Sequence, residues 1–585
     1  MGCSSSKAAG GSRHNTPARS GKGGANTGFV TSVNDRPSSH HSTLIEGLRY
    51  NMVKLKDVNL EDLYTVTEEE LGSAGMGCIV RTVRKKATGE MFACKSFNMQ
   101  SVPDKKVQVK IRNMLRNEIE LLRSLDHPNV VRAYERIESG GCIHLIMELC
   151  EGGDLTRREP YTEAQAAVII CKVLRAIVYC HRHGVCHRDL KFENVLWEAP
   201  GRGADGEPKL IDFGMSRKFA RGAYMRERVG TVYTMAPEVL RGEYTEQADV
   251  WSIGCMAFQL IAGEPAFECE TEADTMVKLQ TVTYSWPRGM AVSSEAKEFV
   301  YKLLKFDPTM RMTAQEALAS PWLRKHCSGS KVGSPGRDSS MLAKTLNSIR
   351  EYRTYGPFKR RALMVLAYHL RPQQMSHIRD EFAKFDADDT GAINKDELRA
   401  ALEGQGVQPA EVDALFESMD VDQSGKIRYF EFLAAALGAM DEAWLSETRL
   451  RDAFQHMDVD GSGFIVYADL KSLLGREYKP EIVQQMMKEA NLEPGARGVT
   501  YDQFVELMQA GSKTFVETEM SHLEMREEVV LGSPAVAPRG VHKKPSFDRT
   551  PRTSAEQAAS RYVSDGGAHA VLPHGRSASH MRVAA

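Results

Sequence analysis

The chain reads as an α+β protein in two unequal parts: a mixed half with strands first and helices later, then an all-α half. Three observations predict this. Glycine-punctuated, strand-like runs open a stretch of sustained apolar periodicity from about Tyr64 to Leu323, and long helical patterns close it. A Gly/Ser/Pro linker, CSGSKVGSPGRDSS at 327–340, then interrupts the periodicity. Helical patterns resume at Met341 and run to about Met508. Within them a short acidic motif recurs from Asp386, Asp420 and Asp458, at intervals of 34 and 38 residues, which is a helix–loop–helix repeat.

At 585 residues the chain exceeds one ordinary core. Its formal net charge of −1 offers no bulk attraction to nucleic acid or membrane, so no nucleic-acid partner is expected. The 11 cysteines are odd in number, contain no C-x-x-C pair and stop at Cys327. That pattern is neither a disulfide framework nor a zinc site and points to a reducing compartment. Apolar runs such as ALMVLAY at 362–368 fall short of the roughly 18 residues a membrane span needs. Residues 1–60 read as a disordered extension; 1–45 are rich in Gly, Ser, Asn and Pro, with Lys7, Arg13, Arg19, Lys22 and Arg36 against Asp35 alone. Residues 512–585 read as a disordered tail, in which Ser546, Ser577 and Ser579 are basic-flanked candidates for autophosphorylation.

Five motifs follow one another in the first half. LGSAGMGCIV (71–80) lies between two strand-like runs and brings Leu71, Gly72, Ala74, Gly75, Gly77 and Ile79, a glycine-rich hairpin whose backbone can close over phosphates. FACK (92–95) ends a strand with Ala93 and Lys95, and Glu118 lies in the helix-like RNEIELLRSL. CHRDLKFEN (186–194), IDFG (211–214) and APE (236–238) complete the series. Their order and spacing over about 170 residues resemble the eukaryotic protein kinase family from about residue 61 to 324.

The resemblance implies a two-lobed fold with ATP between the lobes. Lys95 and Glu118 would hold the α- and β-phosphates, Asp189 would serve as catalytic base, and Lys191 would lie near the transferred phosphoryl group. Asn194 and Asp212 would hold magnesium. Met147 resembles the gatekeeper, Glu148–Cys150 the hinge, and Leu196 the floor of the adenine pocket. Glu238 would pair with Arg311 in a structural ion pair. HRDLK and the GT at 230–231 are the serine/threonine form of the family. Asp154 and Glu193 fall where basophilic members carry acids that attract an Arg three residues before the target hydroxyl. The sequence departs from the family at Ala74, where a second glycine is usual, and at Phe192, where Pro is usual. The segment GGDLTRREPYTEAQAA after the hinge is also shorter than usual, so substrate docking there would differ.

In the second half, DADDTGAINKDE (386–397) fits the twelve-residue EF-hand loop. Asp386, Asp388 and Thr390 offer side-chain oxygens, Gly391 makes the turn, the Ala392 carbonyl coordinates, and Glu397 closes with two oxygens. DVDQSGKIRYFE (420–431) matches with Asp420, Asp422, Ser424, Lys426 (by its carbonyl) and Glu431. DVDGSGFIVYAD (458–469) has Asp458, Asp460, Ser462 and Phe464 (carbonyl) but ends in Asp469, whose shorter carboxylate predicts a weaker calcium site. A fourth unit (489–504) has Arg497 at the obligatory Gly place and Gln503 at its end, and reads as a partner that binds no metal.

A kinase, a short junction and four EF-hand units resemble the calcium-dependent protein kinases of plants and protists over residues 61–510. The implied organisation is an extension (1–60), a kinase domain (61–324), a linker and junction helix (325–375), EF-hands (376–511) and a tail (512–585). ATP, Mg2+ and Ca2+ are the implied cofactors, and proteins with basic-flanked Ser or Thr the implied substrates. Glu227 stands three residues before Gly230, where protein kinases in general carry a phosphorylatable Thr; it can pair with Arg188 without phosphorylation, leaving calcium as the switch. In FKRRALMVLAYHL (358–370), Phe358, Ala362, Val365, Leu366 and Leu370 share a helical face beside Lys359, Arg360 and Arg361, the pattern calcium-loaded EF lobes grip. MGCSSSK fits N-myristoylation at Gly2 with palmitoylation at Cys3, which predicts a cytoplasmic, membrane-associated protein. The competing reading is a calcium-sensing scaffold with a dead kinase; the presence of Lys95, Asp189, Asn194 and Asp212 speaks against it.

Overall fold

The computed structural model describes residues 53–510 except 57, 75–77, 205, 328–338, 404, 441–444, 476–477, 491 and 493–496. A six-stranded sheet forms the small lobe: β1 (Lys54–Lys56), β2 (Tyr64–Ala74), β3 (Cys78–Lys85), β4 (Met91–Asn98), β5 (Ala133–Ser139) and β6 (Cys142–Met147), in the order β1-β5-β6-β4-β3-β2. All pairs are antiparallel except β1, which runs parallel to β5, with Lys54 opposite Glu135. Strand β1 corrects the boundary read from sequence. Residues 53–60 belong to the fold because Val53 and Leu60 bury apolar side chains (2% and 3% exposed) and the β5 edge offers a ladder.

The sheet is covered on both faces, and β4 shows it. Phe92, Ala93, Cys94 and Lys95 are all buried in succession, so the two-residue alternation of a half-buried strand is lost. One face, through Cys78, Phe97 and Ile143, packs under helix Lys105–Ser124 with its Ile111 and Leu115. Asp104 caps that helix by accepting from the Lys106 amide at 2.7 Å. The other face, through Val83, Phe92, Cys94, Tyr134 and Ile146, is continuous with the core of the C-terminal half.

The large lobe is helical, built around helices Glu163–Arg182 and Gln247–Ala262, with Trp197, Trp251 and Trp322 among its largest buried side chains. Thr162 opens the first of these helices with a capping box to Gln165. The helix has the length and apolar content of a membrane span, but its apolar side chains are spent on this core.

Beyond the linker, helices Ser339–Thr354 and Pro357–His369 lead into the repeats. The amphipathic reading of the second of these needs correction. Besides the predicted face, Leu363, Met364, Ala367 and Tyr368 are buried, as are Lys359 and Arg361. The helix is enclosed because EF-hand helices and the back of the small-lobe sheet surround it. The first two calcium loops pair as short antiparallel strands, Ile393 opposite Ile427. The third pairs with the fourth unit through reciprocal Ile465–Val499 hydrogen bonds of 2.9 Å, so the fourth repeat keeps its pairing role despite Arg497 and Gln503.

If residues 53–60 are part of the fold, deleting the chain through residue 60 lowers stability by about 3 kcal/mol more than deleting it through residue 52, the worth of burying Val53 and Leu60. Thermal melts of the two truncations check this; equal melting temperatures would return 53–60 to the extension.

Candidate active site and calcium loops

Lys95 gathers the first cluster. Its ammonium pairs with Glu118 on helix Lys105–Ser124 at 2.9 Å and with Asp212 at 2.8 Å. The two carboxylates more than offset the desolvation of the amine and hold Lys95 above the usual lysine range. Burial alone would raise Asp212, yet Lys95 keeps its carboxyl below the usual range. Asp212 takes a left-handed backbone (φ 59°, ψ 74°) that turns its carboxylate into the cleft, where it also accepts from the Gly214 amide at 3.4 Å.

The second cluster forms around Asp189. The Thr231 hydroxyl donates to Asp189 Oδ1 at 2.7 Å and accepts from Lys191 Nζ at 2.8 Å. Asn194 Nδ2 donates to the Asp189 carbonyl at 2.7 Å and to its Oδ2 at 3.0 Å, fixing the carboxylate and leaving the Asn194 amide oxygen for another ligand. Phe192 is fully buried and opens the short helical turn Phe192–Asn194 that presents Asn194, so the usual Pro is replaced by an apolar anchor. Thr231 was visible in the sequence only as a marker of hydroxyl type; its place between base and lysine is a product of the fold.

Asp249, absent from the sequence-derived set, supports this loop from below. Its carboxylate accepts from the amides of His187 and Arg188, each at 2.8 Å, and contacts His181 Nε2 at 2.8 Å. Arg188 sits at φ 70°, a strained backbone held by those bonds. Its guanidinium donates to Glu227 at 2.6 Å and to the Tyr244 hydroxyl at 3.2 Å. Arg217, also unread in the sequence, takes the other Glu227 oxygen. Partial burial pushes the Glu227 carboxyl up, but the two guanidinium groups outweigh it and leave the group below its usual range. Glu238 and Arg311 form a bidentate, buried pair, one arm at 2.7 Å.

The hinge positions line up behind the cleft. Met147 ends β6 opposite Ala93 and Ala133, Glu148 and Cys150 follow as buried residues, and Leu196 faces Lys209 across the strand pair Val195–Trp197 and Pro208–Leu210. Of the glycine-rich hairpin, Gly72 and Ala74 lie on β2 and Ile79 on β3, with Leu71 exposed. Gly75 and Gly77 lie outside the described residues. An ammonium between two carboxylates, beside a separate carboxylate–amide pair, suits a triphosphate accompanied by a divalent cation.

The three calcium loops share one geometry. Asp386 Oδ2 accepts from the Gly391 amide at 2.8 Å, Asp420 from Gly425 at 2.9 Å and Asp458 from Gly463 at 2.8 Å. Each of these glycines has φ near +80°, a conformation that favours glycine. Carboxylates converge in all three: Asp386, Asp388 and Glu397; Asp420, Asp422 and Glu431; Asp458, Asp460 and Asp469. Thr390, Ser424 and Ser462 hydroxyls bond the carbonyls of Ala392, Lys426 and Phe464. Burial, with crowding by neighbouring carboxylates second, pushes Asp386 up to about 7 and raises Asp420, Glu397, Glu431 and Asp469, as expected of an oxygen cage built for a cation. Asp469 reaches the loop amides of Val459 and Val466, the places at which Glu431 reaches Val421 and Arg428 in the second loop.

Comparison with known proteins agrees with this geometry. Residues 65–323 match the protein kinase domain, 375–437 an EF-hand domain pair and 450–474 an EF hand. Calcium-dependent protein kinase 7 of Arabidopsis thaliana is 33% identical over 485 residues, covering 80% of this chain and 87% of the relative. Calcium-dependent protein kinase 20 of Oryza sativa subsp. japonica is 33% identical over 459 residues, 76% of this chain and 80% of the relative. Calcium-dependent protein kinase 8 of A. thaliana is 32% identical over 506 residues, 84% and 87% respectively. The kinase domain implies ATP and Mg2+, the EF-hands imply Ca2+, and both halves together imply protein substrates and regulation within the chain. The chain belongs to the calcium-dependent protein kinase family, and it is a calcium-activated serine/threonine kinase.

Proposed function

We propose that this kinase phosphorylates Ser or Thr placed three residues after an Arg, that residues 341–370 restrain it without calcium, and that acylated Gly2 and Cys3 hold it on the cytosolic face of a membrane. The observation that carries the catalytic part is the Thr231 hydroxyl, 2.7 Å from Asp189 and 2.8 Å from Lys191. It stands where a substrate hydroxyl would be deprotonated. Asp189 Oδ1 accepts that proton, Asn194 keeps the carboxylate aimed, and Lys191 offsets negative charge at the oxygen under attack. Lys95, steered by Glu118, would bind phosphate oxygens, and Asp212 with the Asn194 amide oxygen would hold magnesium. Bound there, ATP would supply the γ-phosphoryl group and the metal would supply charge neutralisation.

The specificity reading is supported by two ordered carboxylates. Asp154 is held by the Thr156 amide at 3.0 Å, and Glu193 by the Tyr233 hydroxyl at 3.0 Å. Fixed carboxylates pair an incoming guanidinium at a lower ordering cost. For the switch, support comes from the enclosed junction helix. Glu489 of the fourth unit accepts from the Phe358 and Lys359 amides at 2.7 and 3.1 Å, capping that helix at its positive end. Gly2 and Cys3 lie outside the described residues; MGCSSSK supports the anchoring proposal by its sequence.

Phosphate transfer to paired peptides with Arg or Gln at −3, in calcium and in chelator, tests specificity and switch together. Full-length protein should prefer the Arg peptide at least tenfold and act only with calcium, whereas a chain ending before Met341 should be indifferent to calcium. Equal use of both peptides would end the specificity reading, and calcium dependence in the truncated chain would end the junction reading. Glu227→Gln should lower the calcium-stimulated rate several-fold by loosening Arg188; an unchanged rate would make Glu227 an idle surface charge. Gly2→Ala should move the protein from the membrane pellet to the supernatant, and continued sedimentation would remove acylation from the account.

A further inference from the structure

A buried chain of charge connects the calcium half to the nucleotide hinge. Glu148, the first hinge residue, faces Lys209 Nζ at 2.8 Å, and these two side chains are 2% and 1% exposed. Lys209 also faces Glu198 at 3.8 Å. Glu198 in turn receives Arg379 at 2.6 Å. Arg379 belongs to helix Ser376–Phe385, which ends directly before the first calcium ligand, Asp386. The far end of the hinge is gripped from the same place: the Glu198 carbonyl accepts from the Glu151 amide and from Gln373 Nε2, both at 3.2 Å.

Charge balance makes the arrangement conditional. Glu148 has Lys209 at 2.8 Å, accepts from the Arg132 amide at 3.2 Å and lies near the buried Arg132 guanidinium, so within the kinase half Glu198, 3.8 Å from Lys209, is the buried carboxylate left weakly compensated, a costly state. The neighbouring Glu207 does not relieve it, being an acid itself and already paired with Lys172 at 2.6 Å. Arg379 supplies the missing positive charge, lying 4.0 Å from Glu207 as well. Without it the two carboxylates compete for Lys209. That lysine lies opposite Leu196 in the strand pair beneath the cleft and three residues before Asp212, so its displacement is felt on both sides of the nucleotide site.

We infer that Arg379 is a positioning residue for the nucleotide hinge: when the calcium half docks, Arg379 completes the Glu148–Lys209–Glu198 chain and tightens ATP binding. The inference rests on the calcium switch proposed above. By linkage, nucleotide must raise calcium affinity by the same factor.

The test is calorimetric binding of a non-hydrolysable ATP analogue with magnesium to the full chain, in calcium and in chelator. Wild type should bind about five- to tenfold tighter in calcium, and its calcium midpoint should fall by the same factor when the analogue is saturating. Arg379→Gln should lose most of that gain while matching wild type in chelator, and Arg379→Lys should recover part of it. If Arg379→Gln fails to fold, the neutral pair Glu198→Gln/Arg379→Gln removes both charges, and it should also lose the gain. Equal analogue affinity with and without calcium in wild type, or a full gain retained in Arg379→Gln or the pair, would overturn the inference. Either result alongside intact calcium-stimulated peptide phosphorylation would sink the hinge coupling alone; loss of that stimulation in wild type would sink the switch on which it rests.

Discussion

The back of the small-lobe sheet is the surface on which the rest depends. Phe92, Tyr134 and Ile146 point away from the helix Lys105–Ser124 and would be stranded in water if the kinase half stood alone. The junction helix covers them. Tyr368 packs edge-on against Tyr134 with ring centres 5.5 Å apart and donates its hydroxyl to the Ala133 carbonyl. Each such side chain is worth about 2–3 kcal/mol when fully buried, so the two halves share one core and are not merely tethered. The same cover lies over β5, the strand that leads through β6 to the hinge, which is why regulation and nucleotide site are neighbours in three dimensions.

Polar contacts give this shared core a single register. Arg132 reaches the Leu370 carbonyl at 3.3 Å and lies over the Phe430 ring at 4.6 Å. Asp126 accepts from the Phe430 amide at 3.0 Å, and Arg175 pairs with Asp389 at 2.8 Å. Asp389 lies inside the first calcium loop, so one loop is at once a cation cage and a docking surface. Gly391 serves both tasks: its φ of +77° turns the loop, and a Cβ there would stand 2.6 Å from Tyr179 of the large lobe. A residue with any side chain would therefore fail twice.

Within the cleft, burial and pairing decide what each charge can do. Lys95 is fully enclosed yet stays protonated because two carboxylates face it, and Asp212 stays ionised because Lys95 faces it. Arg188 is held in a strained backbone by Asp249 and aimed by Glu227, so an acidic side chain occupies the place of a switchable one. The calcium loops obey a different logic: three carboxylates converge in each, more than nearby guanidinium groups such as Arg428 beside Asp422 can balance, and burial with mutual repulsion pushes Asp386 up, which suits a place meant for a cation.

The order of elements, the catalytic set and the three calcium loops were legible in the sequence, because each depends on local spacing: a Lys ending a strand, an Asp after HR, oxygens at fixed offsets around a glycine. What sequence could not supply were pairings between distant segments. Asp249 lies about 60 residues from the loop it supports, and Arg217 becomes a partner of Glu227 only when the activation segment folds back. The junction helix read as one apolar face with a basic border because periodicity assumes a single partner; with three surrounding surfaces, Leu363, Met364 and even Lys359 are enclosed. Strand β1 was lost in a polar stretch because three residues carry no periodic signal, and an exposed β5 edge decided its fate. The sequence by itself determined the chemistry and the order in which it is strung; the tertiary structure decided which charges meet, since burial and pairing are properties of neighbours in space.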